Sequence, residues 1–585
     1  MRRILLLFTL AFISVGRVVA AEVPAATALR IAAEALGYDS TRSETLSVAW
    51  DSHALSSTRS GDDIPSFYVV ASTSGRGFVV VAGDDAIAPI LAYSEEYPAP
   101  DMHSMHPALK GWFRYIDRTV KYARLSNLTP DASTAELWAR PSVAGSSIQL
   151  GTARWSQYWP YNKYCPLDGS YRSLTGCTQT AMAEIMHYYK WPERAKGVSE
   201  PFTTMTKGIA VESRDLNHRY DWANMLDEYH QDQYSDKEGD AVAVLMADLG
   251  HSFKADYSAE STGALPDARA MYENYGYSPA CYYAMRDNFS DKGWNRLMRS
   301  EIEAHRPIFY SAYTSDENGE AVSGHAFVLD GVDDNDYFHV NWGWGGYGDG
   351  FFMLDNLILY DYIFDTMHWA FLGLRPSRDG EIDNWLYIGA PGISTQATEF
   401  AKGESFVVDE ITIVNPSILE FSGEVRLGVC SLSGEFKSWA SDAVEFVLPS
   451  MYGSSVVDIT VTISEEILSG DRLRAFYRSD DGNEWHQMML YQDGACFEVV
   501  LKHPTIGEST SLEFDKVKEV MILRFDDNVK ASLYHLAELV ESGVEQSEGR
   551  MTIKTDMLQR SVPYTIYLER DGGESKSVMF TLNEM

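Results

Sequence analysis

A chain of 585 residues, 45% hydrophobic and 23% charged, is too long for one domain and too apolar for a disordered polymer, so it divides into about three to five globular units. Its formal net charge of −36 repels phosphate backbones and anionic lipid at long range, which excludes nucleic acid as a partner. Five cysteines in so long a chain exclude a small disulfide-stapled fold, and an odd number leaves at least one thiol outside any internal pair.

The N-terminus, MRRILLLFTLAFISVGRVVA, has Arg2 and Arg3, an apolar run from Ile4 to Val15 and small residues at its end. This is the pattern of a signal peptide, residues 1–20, cleaved near Ala20 or Ala21. The run is too short to cross a hydrocarbon core of about 30 Å. No later stretch is long and apolar enough either, so no transmembrane segment is expected. No cysteine stands at the cleavage point, which argues against a lipid anchor. The expected location is secreted or at the cell surface.

Residues 21–125 follow as a small α+β unit. ATALRIAAEALG has the spacing of a short amphipathic helix, FYVVASTSGRGFVVVAGDD of two Val-rich strands around a Gly turn, and HPALKGWFRYIDRTVKYARL of a longer helix. Residues 126–150 are rich in Ser, Thr, Ala and Pro, without periodicity. They read as a linker of the kind proteases cut. Residues 151–376 place helical patterns (TAMAEIMHYYK, DAVAVLMADLGHSF) before aromatic strands (PIFYSAY, HAFVLDGV, YFHVNWGW), which predicts an α+β domain. From 385 to 505, short strands separated by turn signals predict a β-sandwich. Residues 508–585 predict a second small β-rich domain: MILRFDD and YTIYLERD read as strands, KASLYHLAELVESG as a helix.

The chemistry is concentrated in the middle of the chain. In TGCTQTAMAEIMHYYKWP, Thr175 and Gly176 make a turn, and Ala181, Met182, Ile185 and Met186 form a buried stripe. Cys177 therefore sits in the first helical turn, where unpaired N–H groups and the helix dipole favour an anion. The dipole is worth at most about 2 kcal/mol, enough to bring a thiol from about 8.5 to about 7 and no further. A full thiolate needs a second cation, normally a histidine. His187 lies about 15 Å along the same helix and on another face, so it reads as an ordinary helix residue. His325, in SGHAFVLDGVDDNDYFHVNWGWGG, begins an apolar strand after a glycine. Its distance from Cys177 falls within the roughly 130 to 150 residues that separate Cys from His in papain-like enzymes.

Acyl transfer also needs donors for the oxyanion. The Cys177 N–H is one candidate, and the side-chain amide of Gln157 in RWSQYWPYN is another. Downstream of His325, Asn341 is placed to orient the imidazole and Trp342 to shield that bond from water. Trp344 reads as a core tryptophan of a glycine-rich hairpin. DGVDDNDYF and RSDDGNEW read as turns rather than calcium loops. No CxxC pair or His/Cys cluster suggests a metal, and no cofactor is implied. Cys165 with Cys281, and Cys430 with Cys496, are left open as disulfides or buried thiols.

Together WSQYWPYNKYCP, TGCTQTAMAEIMHYYKWP and GHAFVLDGVDDNDYFHVNWGWGGYGDGFFMLD resemble the streptopain family of secreted bacterial cysteine peptidases, within the papain-like superfamily. The resemblance implies a papain-like domain with Cys177 as nucleophile, His325 as general base and acid, and Gln157 in the oxyanion hole. Asn341 and Trp342 fall on the segment that supports the histidine. Papain itself has Asn-Ser-Trp-Gly where this chain has Asn-Trp-Gly-Trp-Gly, which leaves open which residue orients the ring. The N-terminal unit resembles the family's inhibitory propeptide, especially GRGFVVVAGDDAIAPILAYS. That implies a zymogen inhibited by its own propeptide and activated by cleavage within 126–150. The implied substrates are proteins or peptides, cleaved with some preference for an apolar side chain two residues before the scissile bond. Two rivals remain: a surface binding or adhesion protein on an inactive papain-like scaffold, and a transglutaminase-like acyl transferase.

Overall fold

The computed structural model describes residues 22–581 apart from 38–44, 56–63, 103–104, 106, 127, 131, 140–146, 316–320, 355–362, 378–384, 397–402, 404, 432, 465–470, 493–498, 501–510, 516–519, 526–528, 536–537, 542, 548–549, 556–557, 560–561 and 571–574. The expected signal peptide and Cys496 lie outside the described residues. The chain forms two compact units that cut across the linear segments: one holds residues up to 156, 227–229 and 311–366, the other 157–226, 230–310 and 367 onward.

In the first unit the helix Ala25–Ala35 buries Ala28, Ile31, Ala32 and Ala35, one stripe at helical spacing. That stripe packs with Val79, Val81 and Tyr93 in one apolar cluster. The strand Phe78–Ala82 is buried at every position. It reads as an unbroken apolar run because both faces of its sheet are covered: Phe113, on the helix Pro107–Leu125, packs against Phe67 of the neighbouring strand.

The strands run in the order Leu46–Asp51, Phe67–Ser72, Phe78–Ala82, Ile90–Ser94, Gly350–Met353, Tyr337–Asn341, Ala321–Asp333, each antiparallel to the next. The N-terminal sheet therefore continues into the strands that carry the candidate site, through Phe351 opposite Tyr93 and Phe352 opposite Ala92. Within 126–150, expected to be irregular, lie a helix, Ala132–Ala139, and a strand, Ser147–Gln149, that pairs with Ala321–Asp333. Trp138 Nε1 donates to the Ile87 carbonyl at 2.7 Å. Composition alone misses such short elements because their partners are distant in sequence.

In the second unit the helix Cys177–Tyr189 lies beside Asp236–Ser252, whose N-terminus is closed by a capping box of Ser235 and Glu238. Ten consecutive residues of the Cys177 helix, Thr178 to His187, are buried, more than the one stripe its pattern predicts. Beyond residue 385, two sheets enclose one apolar core containing Ile411, Phe421, Leu427 and Leu473. Ser417 Oγ and Ile418 N donate to the Pro279 carbonyl at 2.9 and 3.2 Å, fastening this sandwich to the preceding domain.

The last segment is a second pair of sheets, each of four strands, with its own core. Here KASLYHLAELVESG is corrected: Val529–His535 is a strand paired with Pro563–Arg570, and Glu538–Leu539 is another. Val529, Ala531 and Leu533 are buried at alternate positions. That two-residue period outweighs the helical propensity of Ala, Leu and Glu. Among the described residues, Cys165, Cys281 and Cys430 are buried outside any disulfide, and Cys496, the partner left open for Cys430, lies outside those residues. Burial pushes the thiols of Cys165 and Cys281 up to about 12 and that of Cys430 up to about 11, so all three are inert at neutral pH.

Candidate active site

The second unit carries Cys177 and Gln157. Gly176 approaches the helix with φ 96° and ψ 150°, a region essentially reserved for glycine. A Cβ there would stand 2.5 Å from Gln179 Oε1 and 2.8 Å from the Thr262 carbonyl oxygen. The approach is held on both sides. Leu174 N donates to the Ser258 carbonyl at 3.0 Å, Thr262 Oγ1 donates to the Leu174 carbonyl at 2.9 Å, and Thr175 N donates to the Gln157 carbonyl at 3.2 Å. The loop bearing Gln157 is thus tied two residues ahead of Cys177. Cys177 is half-buried, the exception among the four described cysteines, so its thiol combines access with a position at a helix N-terminus. His187 is buried in the helix with Nε2 3.2 Å from the Met225 carbonyl.

The first unit carries His325, Asn341 and Trp342. His325 is 6% exposed, and its Nε2 lies 3.0 Å from the carbonyl oxygen of Trp342. A carbonyl only accepts, so Nε2 bears a proton, and whenever the ring is neutral Nδ1 is its basic nitrogen. The imidazole is stacked on Trp344 with centroids 4.9 Å apart, and Trp344 is stacked on Trp342 at 5.4 Å. Asn341 is turned elsewhere: its Nδ2 donates to Thr152 Oγ1 at 3.0 Å and the Ala153 carbonyl at 2.8 Å, while Oδ1 accepts from Gly343 N at 3.1 Å. Of the two residues left open by the sequence, the main chain of Trp342 meets the ring. The Asn341 amide holds the backbone around it.

Beneath this loop lies a buried polar network that sequence reasoning missed. Thr152 N and Oγ1 donate to Asp330 Oδ2 at 2.9 and 2.6 Å, and His339 Nδ1 lies 2.5 Å from Asp330 Oδ1. Burial alone lowers the His339 pKa, but the Asp330 carboxylate outweighs it and holds that imidazole above its ordinary value. Burial likewise raises Asp330, and the His339 charge with the hydrogen bonds from His339 and Thr152 pulls it below the usual carboxylate range. Asp349 accepts from Trp342 N at 2.9 Å, and burial pushes its carboxyl up to about 7. The repeated Trp of NWGWGG was the available signal for Trp344. Asp349, between glycines, carries the signature of a turn.

Residues 155–352 match the peptidase C10 family, and residues 20–120 match the Spi protease inhibitor family. Streptopain of Streptococcus pyogenes is 31% identical over 307 residues, spanning 49% of this chain and 74% of streptopain. The chain belongs to the peptidase C10 family. Its streptopain-like motifs are those of a cysteine peptidase, and its N-terminal segment is an inhibitor-type domain in the same chain. The thiol protease/hemagglutinin PrtT of Porphyromonas gingivalis is 26% identical over 446 residues, 72% of this C10 chain and 49% of PrtT. The chain thus spans about half the length of that relative. Among solved structures, Prevotella intermedia prointerpain A is 29% identical, covering 54% of this chain and 96% of its own, with a TM-score of 0.43.

Proposed function

We propose that this chain is a secreted cysteine endopeptidase made as a zymogen, in which Cys177 and His325 form the catalytic dyad and protein or peptide chains are the substrate. The observation that carries the reading is Cys177 itself: a half-buried thiol at a helix N-terminus, in a C10 family chain, followed at papain-like spacing by His325.

His325 Nδ1 takes the thiol proton, and Cys177 Sγ adds to the scissile carbonyl carbon. The negative charge that develops on the carbonyl oxygen is met by the Cys177 N–H and the Gln157 side-chain amide. The C–N bond then breaks, and the imidazolium gives its proton to the leaving amine. Water, losing a proton to His325, releases the acyl group and restores the thiol. Asn341 and Trp342 support the ring through the backbone and are not themselves in the reaction.

The N-terminal domain acts as an intramolecular inhibitor, and its docking supports this. The strand Ile90–Ser94 adds to the edge of Gly350–Met353, Leu109 packs at Gly348, and Tyr347 Oη lies 3.1 Å from the Asp101 carbonyl. These contacts grip the segment just after Trp342. Cleavage within 126–150 would separate the domain from the peptidase.

The test compares the full chain with its Cys177→Ala and His325→Ala variants for self-processing and casein hydrolysis under reducing conditions. Each variant is expected to lose at least about a thousandfold in rate. If the wild type neither matures nor cleaves casein, and a thiol reagent does not label Cys177 after removal of residues 1–150, the proposal fails.

A further inference from the structure

The segment from Trp342 to Asp349 contains Gly343, Gly345, Gly346 and Gly348, all at positive φ. Such a backbone has wide freedom and keeps one conformation only where side chains or neighbours hold it. Gly345 N donates to the Trp155 carbonyl at 2.7 Å, which fixes its middle. Its beginning is fixed from its own end: Trp342 N donates to Asp349 Oδ1 at 2.9 Å, and Trp342 Nε1 donates to the Gly348 carbonyl at 3.1 Å. The carbonyl of the same Trp342 accepts from His325 Nε2 at 3.0 Å.

Asp349 is fully buried, and its Oδ2 has no hydrogen-bond partner among the described residues. A carboxylate in that state is costly to the fold. The bond it does make lies one residue's backbone away from the bond that sets the tautomer of His325.

We propose that Asp349 is a positioning residue for catalysis: it holds the backbone of Trp342 so that the Trp342 carbonyl meets His325 Nε2, and so keeps Nδ1 as the basic nitrogen of the ring. Asp349 does this through the main chain of Trp342, without touching substrate. The inference rests on the reading of His325 as the catalytic base.

The experiment uses the full chain, matured, as wild type, Asp349→Ala and Asp349→Asn. It measures kcat and KM on a fluorogenic peptide and the rate at which iodoacetamide labels Cys177. Asp349→Ala removes the acceptor and is expected to lower kcat about a hundredfold, the scale of a misplaced catalytic group, with KM within about twofold. Asp349→Asn keeps a side-chain oxygen for Trp342 N–H and is expected to restore kcat to within about fivefold of wild type.

The proposal is overturned if Asp349→Ala leaves kcat unchanged, or if the loss appears in KM alone. Should Asp349→Ala not fold, Asp349→Asn decides by itself: a folded Asn variant whose kcat falls more than about tenfold overturns it. A wild type that neither cleaves nor is labelled at Cys177 overturns the peptidase reading and this inference with it. An active wild type with an unimpaired Asp349→Ala overturns this inference alone.

Discussion

Gly176 precedes the proposed nucleophile in a conformation that only glycine adopts without strain, with the Thr262 carbonyl where a Cβ would be. Gly176→Ala is therefore expected to cost about 1–3 kcal/mol in backbone strain. It should also lower casein hydrolysis about tenfold or more by moving Cys177, which urea denaturation and initial rates will show. Asp349 supplies a pH-dependent counterpart. The charged groups facing it are His339, Asp330 and Arg154, and burial outweighs them to place its pKa at about 7. In the unfolded chain an Asp titrates near about 3.9. From about pH 4 to 7 the unfolded state has lost this proton and the folded state retains it, so Asp349 makes the fold progressively less stable as pH rises. The penalty, on the order of 4 kcal/mol, is complete above pH 7. Asp349→Asn is expected to melt at a higher temperature than wild type at pH 8, the difference vanishing near pH 4. Equal melting temperatures at pH 8 would contradict the burial argument.

Among the elements, the helix Pro107–Leu125 carries Trp112, fully buried and edge-on to Phe352 with centroids 5.4 Å apart. Trp112→Ala empties that contact between the inhibitor domain and a strand of the peptidase. It is expected to cost about 3–5 kcal/mol, seen as a lower denaturation midpoint of the uncleaved chain and as faster self-processing. The helix itself was legible from its spacing, as were the two Val-rich strands. The partner strands Leu46–Asp51 and Ile90–Ser94 were not, since what makes them strands is the sheet edge they complete. Val529–His535 shows the same limit: its residues favour a helix in isolation, and the pairing with Pro563–Arg570 imposes the strand.

At the scale of the molecule, the C-terminal sandwich is fastened to the peptidase domain by the bonds to the Pro279 carbonyl and by the ring contact of Tyr282 with Tyr387, 5.3 Å apart. A chain ending at residue 376 keeps every candidate site residue but exposes Tyr282, now 7% exposed. It is expected to retain casein hydrolysis and to melt at a lower temperature than the full chain; loss of hydrolysis in a folded truncation would give the sandwich a direct part in catalysis. By itself the sequence determined the candidate reacting groups and their order, because a thiol after a glycine at a helix start and a histidine on an apolar strand are set by residue identity and local period. It also exposed the family, through three motifs in fixed order. Only the tertiary structure decided what steadies the histidine. The group that meets its ring is a backbone carbonyl, which any residue carries, and the groups that hold that carbonyl in place, Asp349 and the Thr152–Asn341 bond, join positions whose contact arises from the folded sheet and loop.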